Sequence, residues 1–234
     1  MKKIIYDLGA HRGEDTEYYL KLKYKVVSVE ADPTLFSYLK KKFFLEKDLI
    51  LLNNIISNEN NKSLFYRHKK KPDWNTATKK IAKMIGFKYF KKPILINSIS
   101  LKTLAQKYGQ PYYIKVDIEG NELKVVNQIK SLKEKPKYFC FEDHRYHSHK
   151  VIEKLRFLGF GNFKLYEQSK IINSFDRKNN WKFGIYSSGK LFGSGKWLSY
   201  SVFIKKYYSE VRSKSGIKKK KNGTWYNIIA KYDN

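Results

Sequence analysis

Cysteine occurs once in the 234 residues, as Cys140, so no disulfide can form within the chain. It lies in the apolar run Tyr138-Phe139-Cys140-Phe141, where a buried, inert thiol is expected rather than a nucleophile. A reducing cytoplasm is the compartment that this cysteine usage suggests. No apolar run reaches the roughly 18 residues that cross a bilayer, which argues against a membrane span and leaves peripheral contact with an anionic surface as the alternative. No apolar h-region precedes the first strand, so no secretory signal is expected. Acidic residues are few, 21 against 49 basic ones, and arginine is scarcer still: Arg12, Arg67, Arg145, Arg156, Arg177 and Arg212. Arginine is the usual choice for bidentate phosphate and base contacts, so a lysine-dominated surface argues against specific nucleic-acid reading despite a net charge of +28.

What is present fits a globular protein. Hydrophobic residues make up 41% of the chain. The length suffices for one well-buried α/β domain with little left for a second, so residues 1–234 are expected to form a single domain. Lys, Asn, Ile, Phe and Tyr all have A/T-rich codons, and genome composition accounts for part of the lysine excess. The distribution of charge carries more information. Residues 1–60 have a net charge of +1 and residues 111–150 of +2, whereas residues 61–110 carry +12 and residues 151–234 carry +13. A basic insert (61–92) and a basic tail (161–234) therefore flank nearly neutral segments, and an anionic acceptor or surface is the partner that this pattern implies.

Apolar runs alternate with amphipathic stretches in a βαβαβ order. Strands are expected at Lys3–Leu8, Lys25–Glu30, Leu49–Leu52, Tyr112–Asp117 and Lys137–Phe141. Helices are expected at Glu14–Lys23, from Pro33 with Leu35, Phe36, Leu39 and Phe43 on its apolar face, at Leu101–Tyr108, after Glu122, and near Lys150–Leu158, closed by Gly159. From Asn58 to Lys92 the pattern loosens, with only a short strand at Ser63–Arg67 and apolar order returning at Ile94–Ile96. An insertion of that length reads as a lid or a disordered segment. In the tail, Phe163–Tyr166 and Thr224–Lys231 read as strands able to pair antiparallel at the sheet edge, with a helix around Val202–Val211. Lys218–Lys221 reads as a solvated charge run.

Polar residues stand repeatedly at the carboxyl ends of these strands: Asp7, Glu30, Asp32, Asn53, Asp117, Glu119, Glu142 and His144. Ligands of open α/β sheets bind at such ends. Asp7-Leu8-Gly9-Ala10-His11-Arg12-Gly13 follows a strand and opens a helix, so the glycines let the backbone approach a ligand and the helix N-terminus offers N–H groups. Glu30, at the tip of the next strand, is placed to bind ribose hydroxyls. The turn is G-x-x-x-G rather than the dinucleotide G-x-G-x-x-G. S-adenosylmethionine carries no pyrophosphate and does not need the third glycine, so the pattern suits a methyltransferase cofactor site. Carboxylates that merely cap the following helices are the competing explanation for any one of these residues.

The order DLGAHRGEDT, VVSVEADP, YYIKVDIEGNE and FCFEDH resembles the FkbM-type methyltransferases over roughly residues 3–160, most specifically in the K-x-D-x-E-G-x-E segment from Lys115 to Glu122. The resemblance implies a Rossmann-like class I fold: a mostly parallel, seven-stranded twisted sheet with helices on both faces and an antiparallel edge strand. It implies S-adenosylmethionine as cofactor, with Asp7, Gly9, Ala10, Gly13 and Thr16 around its methionine portion. Glu30 would then lie at the ribose, Asp32 or Asn53 near the adenine, and Asp117 facing the methyl group. A hydroxyl acceptor calls for a general base, for which Asp117, Glu119 and His144 are the candidates. Asp143, His144, His147 and His149 do not have the spacing of the helical zinc pair, and no metal is assigned.

The function expected is O-methylation of a sugar hydroxyl in a glycan, polysaccharide or glycolipid, with Trp74, Trp181 and Trp197 available to stack on sugar rings. The alternatives are an RNA methyltransferase using the basic insert and tail, and a non-enzymatic interaction protein that retains the fold. No RNA-binding module or base-amine signature supports the first, and the intact set Asp7, Gly9, Gly13, Glu30 and Asp117 opposes the second.

Overall fold

A computed structural model of the chain describes residues 2–143, 147–168, 196–219 and 224–233. The chain divides into two compact units, Met1–Lys135 and Pro136–Asn234.

The first unit opens with β1 (Ile4–Leu8), α1 (Glu14–Lys21), β2 (Lys25–Val29), α2 (Pro33–Lys42) and β3 (Leu49–Leu52). It closes with α4 (Leu101–Tyr108), β7 (Tyr113–Val116) and α5 (Glu122–Gln128). Its main strands run parallel in the order β7-β1-β2-β3. The strands β1, β2 and β7 are buried almost throughout, as parallel strands covered by their crossover helices must be. Of the apolar face expected on α2, only Leu39 is buried within the helix. Leu39 and the capping Phe43 pack on Ala10, Leu49 and Leu51. Burying one such leucine stabilises the unit by about 1.5–3 kcal/mol.

The stretch 58–92 is not a structureless loop. The strands β4 (Ile55–Ile56), β5 (Lys62–Phe65) and β6 (Ile94–Ile99) form a separate sheet in the order β4-β6-β5, and α3 (Lys79–Ile85) lies between β5 and β6 in the chain. Two isolated bridges, Tyr66 with Thr76 and His68 with Phe90, extend the order. A small core of Tyr66, Ala82 and Phe90 holds it. The weak periodicity has a physical reason: these apolar residues meet across more than 20 positions of chain rather than along one element.

In the second unit, β8 (Tyr138–Glu142), β9 (Phe160–Glu167), β10 (Leu198–Ser199) and β11 (Tyr226–Tyr232) run antiparallel in the order β10-β9-β11-β8. The helices are α6 (Ser148–Phe157) and α7 (Tyr200–Glu210). The expected antiparallel pairing of the two tail strands is present, from Tyr226 opposite Glu167 to Tyr232 opposite Phe160. Gly159 ends α6 with φ of 97°, as expected. The fold is the α/β, Rossmann-like class expected. Among the described residues its principal strands number eight rather than seven, the two-residue β10 being the addition.

Candidate active site

The site is assembled at the carboxyl ends of β1, β2 and β7. Register sets Asp7 opposite both Lys115 on β7 and Ser28 on β2, so the three side chains form a polar row across the sheet. The first turn of α1 covers this row. Thr16 Oγ1 donates to Asp7 Oδ2 at 2.6 Å and lies 2.7 Å from Ser28 Oγ, all three residues being fully buried. Thr16 thus orients Asp7 from beneath the helix. Asp7 Oδ1 is buried with no hydrogen-bond partner.

Lys115 is the hub. Its Nζ lies 2.8 Å from Asp15, 3.4 Å from Asp117 and 3.6 Å from Asp7, and it donates to the Gly9 carbonyl at 3.4 Å. Burial alone would lower its pKa, but Asp15, Asp117 and Asp7 raise it well above the ordinary value, and the side chain is a fixed ammonium. Three carboxylates around one cation are incompletely neutralised. Burial pushes Asp7 up from its ordinary value, and burial outweighs the pull of Lys115 to bring Asp15 up to about 6. The Asp117 side chain is 37% exposed, against 7% for Lys115, so the cluster opens outward at Asp117.

The N–H groups of the glycine turn, which precede the helix N-terminus, are used within the fold. Gly9 and Ala10 N–H donate to the Val29 carbonyl, His11 N–H to Glu30 Oε2, and Gly13 N–H to the Ala10 carbonyl. Gly9 has φ of 90°, and a Cβ there would stand 1.8 Å from the Asp117 carbonyl oxygen, so this glycine is required by the close approach of β7. A Cβ on Gly13 would meet Phe43 and Leu39 of α2.

Glu30 is 6% exposed and accepts from the N–H groups of Asp32 and His11 at 2.8 and 2.7 Å. Burial pushes its carboxyl up to about 7 against those two hydrogen bonds. Asp32 caps α2 through Thr34 N–H, and Asn53 Nδ2 donates to the carbonyls of Glu30 and Ala31. The insert reaches the same strand ends. Asn75 Nδ2 donates to Asp32 at 2.9 Å, Thr76 Oγ1 donates to the Glu119 carbonyl at 2.8 Å, and Asp73 lies 3.0 Å from His11 Nε2. His11 and Glu119 are non-glycine residues at φ of 50° and 51°, a strain of about 1 kcal/mol or more each that their surroundings must hold. Glu122, raised by burial, accepts from Gly120 N–H at 3.0 Å and steadies the turn after Asp117.

The first unit therefore contains Asp7, Gly9, Ala10, Gly13, Thr16, Glu30, Asp32, Asp117 and Glu119. Glu142 and Asp143 end β8 in the second unit, and His144 and Trp181 lie outside the described residues. Asp143 is fully engaged by Arg212 Nε and by Tyr207 Oη. Sequence reasoning did not single out Lys115, Asp15, Ser28 or Asn75. Lys115 had a signal, because it stands two residues from Asp117 on a strand and so shares its face.

The family model for the methyltransferase FkbM domain matches residues 7–167. No curated protein matches the chain. Solved structures similar to it include precorrin-6y C5,15-methyltransferase from Geobacter metallireducens, 10% identical, covering 99% of this chain and 80% of that one, with a TM-score of 0.45. Precorrin 8w decarboxylase from Methanobacterium thermoautotrophicum is 11% identical, covers 98% and 81%, and gives 0.46. The human methyltransferase 10 domain containing protein is 10% identical, covers 100% and 73%, and gives 0.44. Among the described residues no helix is long and apolar enough to cross a membrane.

Proposed function

The chain belongs to the FkbM methyltransferase family, and from that premise we propose that it methylates a sugar hydroxyl of an anionic glycan or glycolipid. Its methyl donor is S-adenosylmethionine, which supplies an activated methyl group on a sulfonium when bound. The residues present fit that group. Asp7 Oδ1, which has only the long 3.6 Å ion pair with Lys115, and the open carboxylate of Asp117 suit a ligand bearing positive charge, and Glu30 at the tip of β2 suits ribose hydroxyls. In this reading Asp7 is fixed by Thr16, and the Gly9-to-Gly13 turn shapes the methionine side. Asp32 bounds the adenine side. Asp117 faces the reacting carbon and, with Glu119 and His144, is a candidate to take the hydroxyl proton.

The observation that carries the reading is the row of acidic side chains at three adjacent parallel strand ends, with the insert hydrogen-bonded to two of those ends. The insert also favours an anionic sugar. His68 stacks on Tyr89 and meets Trp74 edge-on, Lys71 lies 4.2 Å over the Trp74 ring, and both Trp74 and Tyr89 are exposed. Aromatic faces beside ammonium groups match sugar rings bearing carboxylates or phosphates. Residues 61–92 then serve the acceptor.

Calorimetry with S-adenosylmethionine, followed by turnover on neutral glycans, anionic glycans and RNA, tests the proposal. Glu30→Ala is expected to weaken cofactor binding tenfold or more, on the order of 1.4 kcal/mol. Asp117→Asn is expected to lower turnover mainly. Methylation of RNA with no glycan turnover overturns the acceptor assignment, and unchanged binding and turnover in both variants overturns the site.

A further inference from the structure

Lys115 and Asp15 have no role in the reading above, yet they complete an incompletely neutralised group at the strand ends. With all groups ionised, Asp7, Asp15 and Asp117 around Lys115 carry a net charge of −2, and no other cation among the described residues lies within ion-pair distance of the three. Asp7 comes from β1, Asp15 from α1, and Lys115 and Asp117 from β7 and its end. Glu30 beyond β2 and Glu122 on α5 are the next carboxylates, and both add to the negative field. A buried cluster that kept an uncompensated charge would be costly, so it either holds a proton or receives a cation.

We infer that the Asp7–Asp15–Lys115–Asp117 cluster is a charge sensor that favours the sulfonium cofactor over its thioether product and releases a proton when the sulfonium form binds. The inference rests on the cofactor site assigned above. S-adenosylmethionine carries a sulfonium and an ammonium against one carboxylate, a net charge of +1. S-adenosylhomocysteine has lost the sulfonium and is neutral overall. Transfer of the methyl group thus removes the charge that the cluster recognises, which loosens the product. Asp15, the member whose carboxyl is pushed up to about 6, keeps 16% of its side chain exposed and so can pass its proton to solvent. Lys115 keeps the set from repelling itself apart and holds Asp117 in line with Asp7, so it is a positioning residue.

The linkage has a definite sign. Asp15 titrates near pH 6 in the free protein, and a bound cation lowers that value. Through Asp15, binding of the sulfonium form strengthens as pH rises from 5 to 7, and Glu30, pushed up to about 7, titrates at the top of the same window in both forms of the cofactor. At pH 8 the Asp15 carboxylate is already ionised and no proton is released.

The test is calorimetry of the full chain with S-adenosylmethionine and with S-adenosylhomocysteine at pH 5.5 and 8, in two buffers of different ionisation enthalpy. The expected result, taken as the difference between wild type and Asp15→Asn, is release of up to one proton at pH 5.5 with the sulfonium form, less with the thioether, and none at pH 8. Asp15→Asn is expected to abolish that release and to shift the affinity ratio of the two forms toward the thioether by about three- to tenfold, the size of one charge interaction at several ångströms. Lys115→Arg keeps the cation and is expected to retain the release, which separates charge from fold. Equal affinity ratios and equal proton release in wild type and Asp15→Asn overturn the inference and leave the cofactor site standing. Failure of either form to bind at any pH overturns both.

Discussion

Asp143 in the second unit is a buried acid near a strand end, the Asp7–Asp15–Asp117 group in the first is buried at Asp7 and half-buried at the other two, and the two sets are neutralised to different degrees. Asp143 meets Arg212 Nε through both carboxylate oxygens, at 2.9 and 3.1 Å, and accepts from Tyr207 Oη at 2.8 Å. Arg212 in turn donates to the Gly216 carbonyl. One charge faces one charge, and the donors are used. In the first unit three carboxylates share one ammonium, and Asp7 Oδ1 has no hydrogen bond. The closed cluster ties α7 and the segment after it to β8. The open one leaves a demand for positive charge that folding alone does not meet. The difference separates an acid whose charge the fold itself neutralises from acids whose charge it does not.

The largest expected effect comes from breaking the closed cluster. Arg212→Met leaves Asp143 buried without its partner and is expected to cost about 3–5 kcal/mol in urea unfolding at neutral pH. A loss under about 1 kcal/mol would remove the contrast. The open cluster is expected to respond in the opposite direction. The Asp15 carboxyl titrates near 6 in the folded chain, above the 3.8 of an ordinary aspartate. The folded state therefore holds this proton more tightly, and stability falls as pH climbs from about 4 to 6. Asp15→Asn is expected to be more stable than wild type by about 1–3 kcal/mol at pH 8, with the gain vanishing near pH 4. Thermal unfolding across that range gives both the sign and the window. The smallest effect belongs to a surface ion pair on one helix. Lys206 and Glu210 are one helical turn apart on α7 at 2.6 Å, and Glu210→Ala is expected to change stability by no more than about 0.5 kcal/mol in the same urea experiment.

The parallel strands were legible because burial on both faces leaves continuous apolar runs, such as Ile4-Ile5-Tyr6 and Val26-Val27. The acidic tips were legible because strand ends of open sheets are where polar residues collect. The insert was not, since Tyr66, Ala82 and Phe90 build a core from three separate pieces of chain. Nor was the hub. Lys115 stands in a motif that was read for its aspartate, and only the register of β7 against β1 brings it opposite Asp7. Asp15 resembles any acid in a helical first turn, where it also complements the helix dipole. The glycines were found for the approach of a ligand, and the structure adds a steric reason for them, the packing of Asp117 and of Leu39 and Phe43 against the turn.

That packing has a mechanical consequence. The Asp117 N–H donates to the Leu8 carbonyl, and the Asp117 carbonyl fills the space a side chain at position 9 would take. The glycine turn and the backbone of Asp117 are thereby clamped from both sides and behave as one rigid part. A push on the turn from a ligand reaches Asp117 without passing through any flexible joint.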